Sequence, residues 1–563
     1  MRNPQSPFII VMKENNMRKE YCVCAKKYIL SDKKSFILGI LFASLKSIFS
    51  LLVPLTFSAI MDQALPNREF KQLLLYSCLM VLGYMTMCCS GIGKDYFLSK
   101  VNESYIKLSR TLLLNKINKI KYSRLEEIDN GQIMAKYHKE IESIQEHFGD
   151  QFTSIIPNIL VLIYCSIFIF STSKIVFFSS LFMIGIYMTV NRYFGKKISI
   201  YAEENMKSNS EAISVFSDLF TNVFLTKIFS LYEKVDNRFK AIYDKYFRSS
   251  IKLKLLISMN VNFCMIVLYL SSGIMWFVCG NEIVKGNMSI GQLTVIISYQ
   301  GMLLTPLSFF SEYNSSLKNT IIAIERIDKF LAIEEESYSG KKLDSIDEIV
   351  FENVSYGYDK EIILQGINLE LKKGRIWGIV GPSGCGKSTI AKLLLRLYSC
   401  SEGIIKCNGI DIESYDLDDY RAKFSIMSQE PLFYEETVWE NMETDANCTK
   451  YNIVEVSKNL DVYNDIIQFE NGFDTILSKN AGNISGGQKK RLDALRAIIK
   501  KADVLIFDEG TNGLDKKRKK RIYEFLYHMK KDKIIIIISH DNEDLMLADV
   551  IYQIRDKKVV KVS

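Results

Sequence analysis

The chain has 563 residues, 72 Lys and Arg against 64 Asp and Glu for a net charge of +8, and a composition 48% hydrophobic and 12% aromatic. That length points beyond one domain, and so much apolar residue beside 24% charged residue argues against a single uniform globule. Nucleic-acid binding is also set aside, because the Lys and Arg residues gather between apolar runs, where a charged bilayer face meets them, and no basic stripe with interleaved stacking aromatics occurs.

Twelve Cys and four His lie without paired C-x2-C or His spacing, so neither structural zinc nor a disulfide framework is expected. The chain divides into a cytoplasmic N-terminal segment 1–34, a transmembrane domain 35–330, a linker 331–348 and a soluble domain 349–563. Within the first segment the longest apolar run is of the size of Phe8–Met12, too short for the core of a signal peptide, so the first span is expected to act as its own insertion signal.

Six stretches have the length and apolarity of spanning helices: Phe36–Ile60, Leu73–Gly93, Ile155–Ser171, Ile175–Val190, Leu255–Val278 and Leu293–Phe310. The third and fourth are short and separated only by Thr172, Ser173 and Lys174, so a single buried hairpin is the alternative there. Lys and Arg crowd the leader before the first span, Lys94–Arg124, Arg192–Lys197 and Arg248–Lys254, and are sparse in the other connections. By the positive-inside rule this puts the N-terminus and the soluble domain in the cytoplasm, as in the plasma membrane of a bacterium. The internal connections Lys94–Ser154 and Asn191–Lys254 keep helical periodicity without proline, and are expected to carry the spans into the cytoplasm and turn near Asp129-Asn130-Gly131 and Leu219–Asn222, where the turns dock on a soluble domain. Lys46 lies inside the first span, where a midplane Lys costs at least about 2.5 kcal/mol; it either snorkels to the inner face or lines a wet path. Asn260, Asn262, Tyr269, Tyr299 and Gln300 are polar at positions open either to a central cavity or to helix packing.

In the soluble domain, Gly381-Pro382-Ser383-Gly384-Cys385-Gly386-Lys387-Ser388-Thr389 lies between the apolar run Ile376–Val380 and the helical pattern Ile390–Tyr398. This is a phosphate-binding loop in its strand, loop and helix setting: glycines let backbone N–H groups close round phosphates, Lys387 reaches the β and γ phosphates of ATP, and the Ser388 hydroxyl ligates Mg²⁺. Runs at Ile376–Val380, Val504–Phe507 and Ile534–Ile538 read as buried parallel strands. Tyr358 is placed to stack on adenine, Gln429 ends a strand with an amide for Mg²⁺ or water, and Ile484-Ser485-Gly486-Gly487-Gln488 opens a helix with N–H groups and a hydroxyl for an anion. Asp508-Glu509 and Ser539-His540 end two further strands.

This ordered set resembles the ATP-binding cassette family, specifically exporter-type half-transporters with six spans ahead of one nucleotide domain, over about Ser35–Ser563. The resemblance implies a membrane all-α domain followed by an α/β P-loop ATPase. It implies that Asp508 holds Mg²⁺, Glu509 is the general base on the attacking water, and His540 touches the γ-phosphate. It also implies that Ser485, Gly486, Gly487 and Gln488 cap ATP bound by an opposite copy. Asn512-Gly513-Leu514-Asp515 resembles the loop that follows. Ile484 stands where the family has Leu, and Lys479-Asn480 where exporters carry an acidic residue. Charge neutralisation by Lys387 and Mg²⁺, an aligned water and a base satisfy what phosphoryl transfer to water requires. Since the Ser-Gly-Gly site begins a separate helix, two copies facing each other supply two shared sites. The expected function is ATP-driven export of an amphipathic cargo, a peptide first and a lipid or drug next, across the membrane in whose lipid the spans sit. An importer of the same fold and a membrane-tethered regulatory ATPase are the alternatives. No leader-cleaving protease domain fits before the first span, so a peptide cargo is expected to be processed elsewhere.

Overall fold

The structure, a computed structural model, describes residues 20–562 apart from 129, 359–360, 446–447, 511–515 and 541–545. Its contacts divide the chain into two units, one made of the residues up to Leu114 with Asn130–Ala332, the other of Asn115–Asp129 with Ile333 onward.

The first unit is helical. Among the described residues six helices are long and apolar enough to cross a membrane: Lys33–Ala64, Phe70–Lys119, Lys136–Thr172, Lys174–Thr221, Tyr232–Val284 and Ile290–Leu331. Each expected span lies within one of them. The third and fourth are separate helices, broken at Ser173, whose backbone is extended and whose hydroxyl caps the fourth. The sixth begins with a capping box at Ser289 and Gln292. Asp62, in the last turn of the first, accepts from Ser289 Oγ at 2.6 Å and Gly291 N–H at 2.8 Å, tying the two helices together at that end.

Several polar residues inside the spans serve packing. Tyr299 is fully buried and donates to the Leu51 carbonyl at 2.6 Å, Gln300 is buried against Ser271, and Asn260 donates to Asn191 at 3.3 Å. A polar group in hydrocarbon lowers its cost by bonding a neighbouring helix. Lys46 is exposed. The second internal turn begins where expected: the fourth helix ends at Thr221 and a short helix, Val223–Ile228, follows.

The first internal turn differs from expectation. Its tip is the short helix Tyr122–Glu126, ahead of Asp129-Asn130-Gly131; Asp129 lies outside the described residues, and Asn130 already starts the helix Asn130–Ala135.

Among its described residues the second unit holds ten strands: β1 (Glu348–Tyr358), β2 (Glu361–Lys372), β3 (Arg375–Val380), β4 (Glu402–Cys407), β5 (Ile410–Asp411), β6 (Phe424–Met427), β7 (Val504–Asp508), β8 (Ile534–Ile538), β9 (Val550–Arg555) and β10 (Lys558–Lys561). They form an antiparallel sheet β2-β1-β4-β5 and a second sheet β10-β9-β3-β8-β7-β6, parallel except for its edge strand β10. The five consecutive isoleucines of β8 show why such strands are uniformly apolar. Ile534, Ile536 and Ile538 enter one core with Trp377, Ile390 and Ile506, while Ile535 and Ile537 enter another with Leu492, Leu505 and Phe507. Both faces are covered, so alternation vanishes.

The tip of the first internal turn is clamped into this unit. Three consecutive glutamates, expected to be a polar linker, each take a different basic partner. Glu334 pairs with Lys121, Glu335 with Lys116 at 2.7 Å, and Glu336 with Arg421 through two bonds of 2.7 and 2.8 Å. The backbone adds Glu336 N–H to Lys119 O at 2.7 Å. Glu126 on the tip helix accepts from the Tyr398 hydroxyl and from Lys392 Nζ at 3.0 Å. Burial acts to raise the Glu126 carboxyl, but these two donors outweigh it and hold the group below its ordinary range.

Candidate functional site

The glycine-rich loop read as phosphate-binding leaves β3 and enters the helix Lys387–Leu394. Gly384 and Gly386 have φ of +79° and +101°, and a Cβ on Gly386 would lie 2.9 Å from Ile363 and Leu364 side-chain atoms, so both the backbone and the space require glycine. Pro382, Ser383 and Gly384 are exposed at the loop's crest, Gly381, Cys385 and Ser388 are half-buried, and Gly386, Lys387 and Thr389 are buried. Lys387, only 5% exposed, donates from Nζ to the carbonyls of Gly381 at 2.9 Å and Pro382 at 3.0 Å and lies 3.5 Å from Glu509 Oε1.

Parallel pairing assembles the rest. β7 and β8 are neighbours with Asp508 opposite Ile538, so the residues just past each strand, Glu509 and His540, come together: His540 Nδ1 is 3.3 Å from Glu509 Oε1. β6 flanks β7 on the other side and delivers Gln429, whose Nε2 donates to Glu509 Oε2 at 3.0 Å. Glu509 therefore sits among Lys387, Gln429 and His540. Its φ is +49°, a strained conformation for a residue with a side chain, of the kind that clusters where a side chain must be aimed.

Asp508 is buried. Burial raises its carboxyl above the ordinary range, the Ser388 hydroxyl bonds to it and opposes that, and Glu509 raises it further. Its Oδ1 is buried with no hydrogen-bond partner among the described residues. An acidic oxygen left without a donor, on a carboxyl that the Ser388 hydroxyl bonds and next in sequence to the Glu509 held by Gln429, fits a hard oxygen-seeking cation. Among the described residues no group of three His, Cys, Asp or Glu forms a cage. That suits Mg²⁺, which binds through one or two protein oxygens together with phosphates.

Ser485 caps the helix Gly486–Ile499 in a reciprocal box with Gln488, at 2.8 Å for Ser485 N–H to Gln488 Oε1. Ser485 and Gly486 are exposed at that helix start, and Gly487 and Gln488 are half-buried. Tyr358 ends β1, its backbone in register with Glu361; its side chain lies outside the described residues, as does the whole of Asn512–Asp515. Sequence reading missed Asp493 and Arg496, which stand behind Gln429; the only signal was an Asp among the apolar residues of that helix.

Cys385 offers a local test. Burial pushes its thiol up, only partly offset by Lys387, so the reactive thiolate is scarce at neutral pH. Maleimide inactivation of ATP turnover is expected to be slow at pH 7, to accelerate as pH rises, to be blocked by ATP and to disappear in Cys385→Ser; inactivation of that variant at the original rate would assign the effect to another cysteine.

The comparisons agree with this architecture. Residues 36–307 match the model of the ABC transporter transmembrane region, and residues 364–512 match the model described as ABC transporter. The alpha-hemolysin translocation ATP-binding protein HlyB of Proteus vulgaris is 24% identical over 544 residues, 95% of this chain and 76% of that protein. An ATP-dependent lipid A-core flippase of Haemophilus ducreyi is 30% identical over 296 residues, 52% of this chain and 51% of that one. ABC transporter B family member 1 of Dictyostelium discoideum is 25% identical over 537 residues, and the chain spans 58% of its length. The structure of a bacterial Atm1-family ABC exporter with ATP bound has a similar fold, with a TM-score of 0.80, 20% identity and 94% of each chain covered. With six membrane-length helices among the described residues and both family models matched in that order, the chain belongs to the ABC transporter family.

Proposed function

We propose that two copies of this chain bind ATP between them and use its hydrolysis to export an amphipathic cargo, a peptide in the first instance, from cytoplasm to outside. The observation that carries the chemistry is the convergence of Lys387, Gln429 and His540 on Glu509 beside the unpartnered oxygen of Asp508. Lys387 leaves its loop carbonyls to bond the β and γ phosphates, drawing off charge as it builds. Tyr358 stacks on the adenine, and the N–H groups of Gly381 to Thr389 cradle the phosphates. Glu509, oriented by Gln429, takes a proton from water as the water oxygen bonds to the γ-phosphorus and the bond to the bridging oxygen breaks; the electron pair leaves with ADP. His540 donates to a γ-phosphate oxygen. Ser388, Asp508 and Gln429 would hold Mg²⁺, which would supply charge neutralisation to the phosphates.

Pairing is supported by surface that a single copy leaves uncovered. At the second internal turn Phe220, Phe224 and Phe229 are 74, 70 and 65% exposed, an apolar patch on an otherwise charged extension that calls for a cover. The exposed helix start at Ser485 likewise presents its N–H groups outward, toward ATP held by the second copy. The six membrane-length helices among the described residues support a membrane location, and the distribution of Lys and Arg supports an ATPase on its cytoplasmic side.

A peptide cargo is supported by likeness to the hemolysin-translocation protein; a lipid cargo is favoured by the higher identity, over half the chain, to the lipid A-core flippase. Purified protein in inside-out vesicles decides between them and against the importer or tethered-ATPase alternatives. ATP-dependent accumulation of a cationic amphipathic peptide, with stimulated turnover, is expected. Loss of preloaded peptide, or turnover indifferent to peptide and lipid alike, overturns the proposal, whereas headgroup-labelled lipid crossing without peptide uptake replaces the cargo.

A further inference from the structure

We propose that Asp493 is a positioning residue that binds the glutamine loop to the helix opened by Ser485, so that the state of one ATP site sets the geometry of the other. The inference rests on the paired-site reading above and names how the two sites communicate.

Asp493 lies about two turns into the helix Gly486–Ile499 and is 0% exposed. One of its oxygens, Oδ2, accepts the backbone N–H of Ser428 at 2.9 Å; the other, Oδ1, accepts Arg496 Nη2 at 2.5 Å. Arg496 in turn donates from Nη1 to the Leu432 carbonyl at 2.9 Å and lays its guanidinium over the Phe433 ring, 4.7 Å from the centroid. The two side chains therefore hold the loop before Gln429 and again after it. The segment between has no helix or strand of its own, so its conformation depends on those grips.

Beside Asp493 the helix buries Leu492, Ala494, Leu495 and Ile498 in the core, and Arg491 against Asp465 at 2.7 Å. An apolar residue at 493 would satisfy that core without a carboxylate to compensate, and burial of the carboxylate raises its pKa against the pull of Arg496. What the carboxylate adds is a directional bond to the loop. Gln429 bonds the carboxylate of Glu509 at 3.0 Å. A helix is stiff along its axis, so when its start closes on ATP held by the second copy, Asp493 and Arg496 move with it. Ser428 and Leu432 follow, and the Gln429 amide shifts on Glu509 in the chain's own site. Filling one site thereby prepares the other.

The test is ATP turnover against ATP concentration for the full chain in lipid, as wild type, Asp493→Ala, Asp493→Asn and Arg496→Ala, with the unfolding midpoint of each. The wild type is expected to be sigmoidal, with a Hill coefficient between one and two. Asp493→Ala and Arg496→Ala should lower maximal turnover by at least about tenfold, from misplacement of the Gln429 amide, and bring the coefficient to one. Asp493→Asn, which still accepts from Ser428 N–H, should remain sigmoidal. A merely structural role would lower the midpoint and leave the shape of the curve alone; unchanged cooperativity in either alanine variant overturns the proposal, and if Asp493→Ala does not fold, Arg496→Ala decides it. A hyperbolic wild type overturns the paired-site reading as well, which separates the two failures.

Discussion

Glu509→Gln is expected to lower ATP turnover by about 10²–10⁴-fold, the range set by loss of a positioned general base, while ATP binding persists. The substitution keeps the volume and a hydrogen-bonding oxygen, so Gln429 and His540 keep a partner. It removes the carboxylate base: Lys387 carries no basic lone pair while protonated, Gln429 has no basic atom, and His540 is assigned to donate to the γ-phosphate. Relief of charge also enters: with Glu509 neutral, one carboxylate fewer opposes the phosphates, so the nucleotide-bound pair should persist longer. Turnover and trapping of labelled ATP, measured together, check both parts. A variant that hydrolyses ATP at the normal rate removes Glu509 from the role of base.

Lys387→Ala is expected to reduce turnover by about 10²–10³-fold, the scale of losing one preorganised charge-stabilising donor, and to weaken MgATP binding. Lys387 is the buried cation among Asp508 and Glu509 and within reach of Glu509 at 3.5 Å. Without it, two carboxylates and the triphosphate share the cavity with less opposing charge, so binding suffers before chemistry. Lys387→Arg is expected to restore little, because the planar fork cannot enter the space from which an ammonium reaches the Gly381 and Pro382 carbonyls. Nucleotide titration of both variants beside the wild type reads this directly; full affinity in the alanine variant would show that the loop binds phosphate through its backbone alone.

What could be read from the chain was what local backbone chemistry dictates. The phosphate loop shows itself because Gly384 and Gly386 need left-handed φ and Gly386 has no room for a Cβ. The strands β3, β7 and β8 show themselves because burial on both faces makes them continuous apolar runs, and the groups around Glu509 stand at strand ends. The tip of the first turn was misread because the Asn-Gly pair at 130–131 is a strong local turn signal, whereas the helix Phe70–Lys119 stops under a long-range influence: backbone pairing of Lys119 and Lys121 with Glu336 and Glu334. Neither partner is visible from the other in sequence. The antiparallel sheet of β1, β2, β4 and β5 escaped for the same reason, and Asp493 looked like any polar residue on a helix until its bond to Ser428 was seen.

The three-glutamate clamp has a bearing on how such a protein is dissected or re-engineered. Lys116, Lys121 and Glu126 belong by sequence to the membrane half, yet their partners Glu335, Glu334 and Lys392 lie beyond residue 332. A graft that exchanges only the C-terminal portion for that of a relative would separate these matched charges, whereas one that transfers residues 115–129 together with it moves the lock and its key as a set.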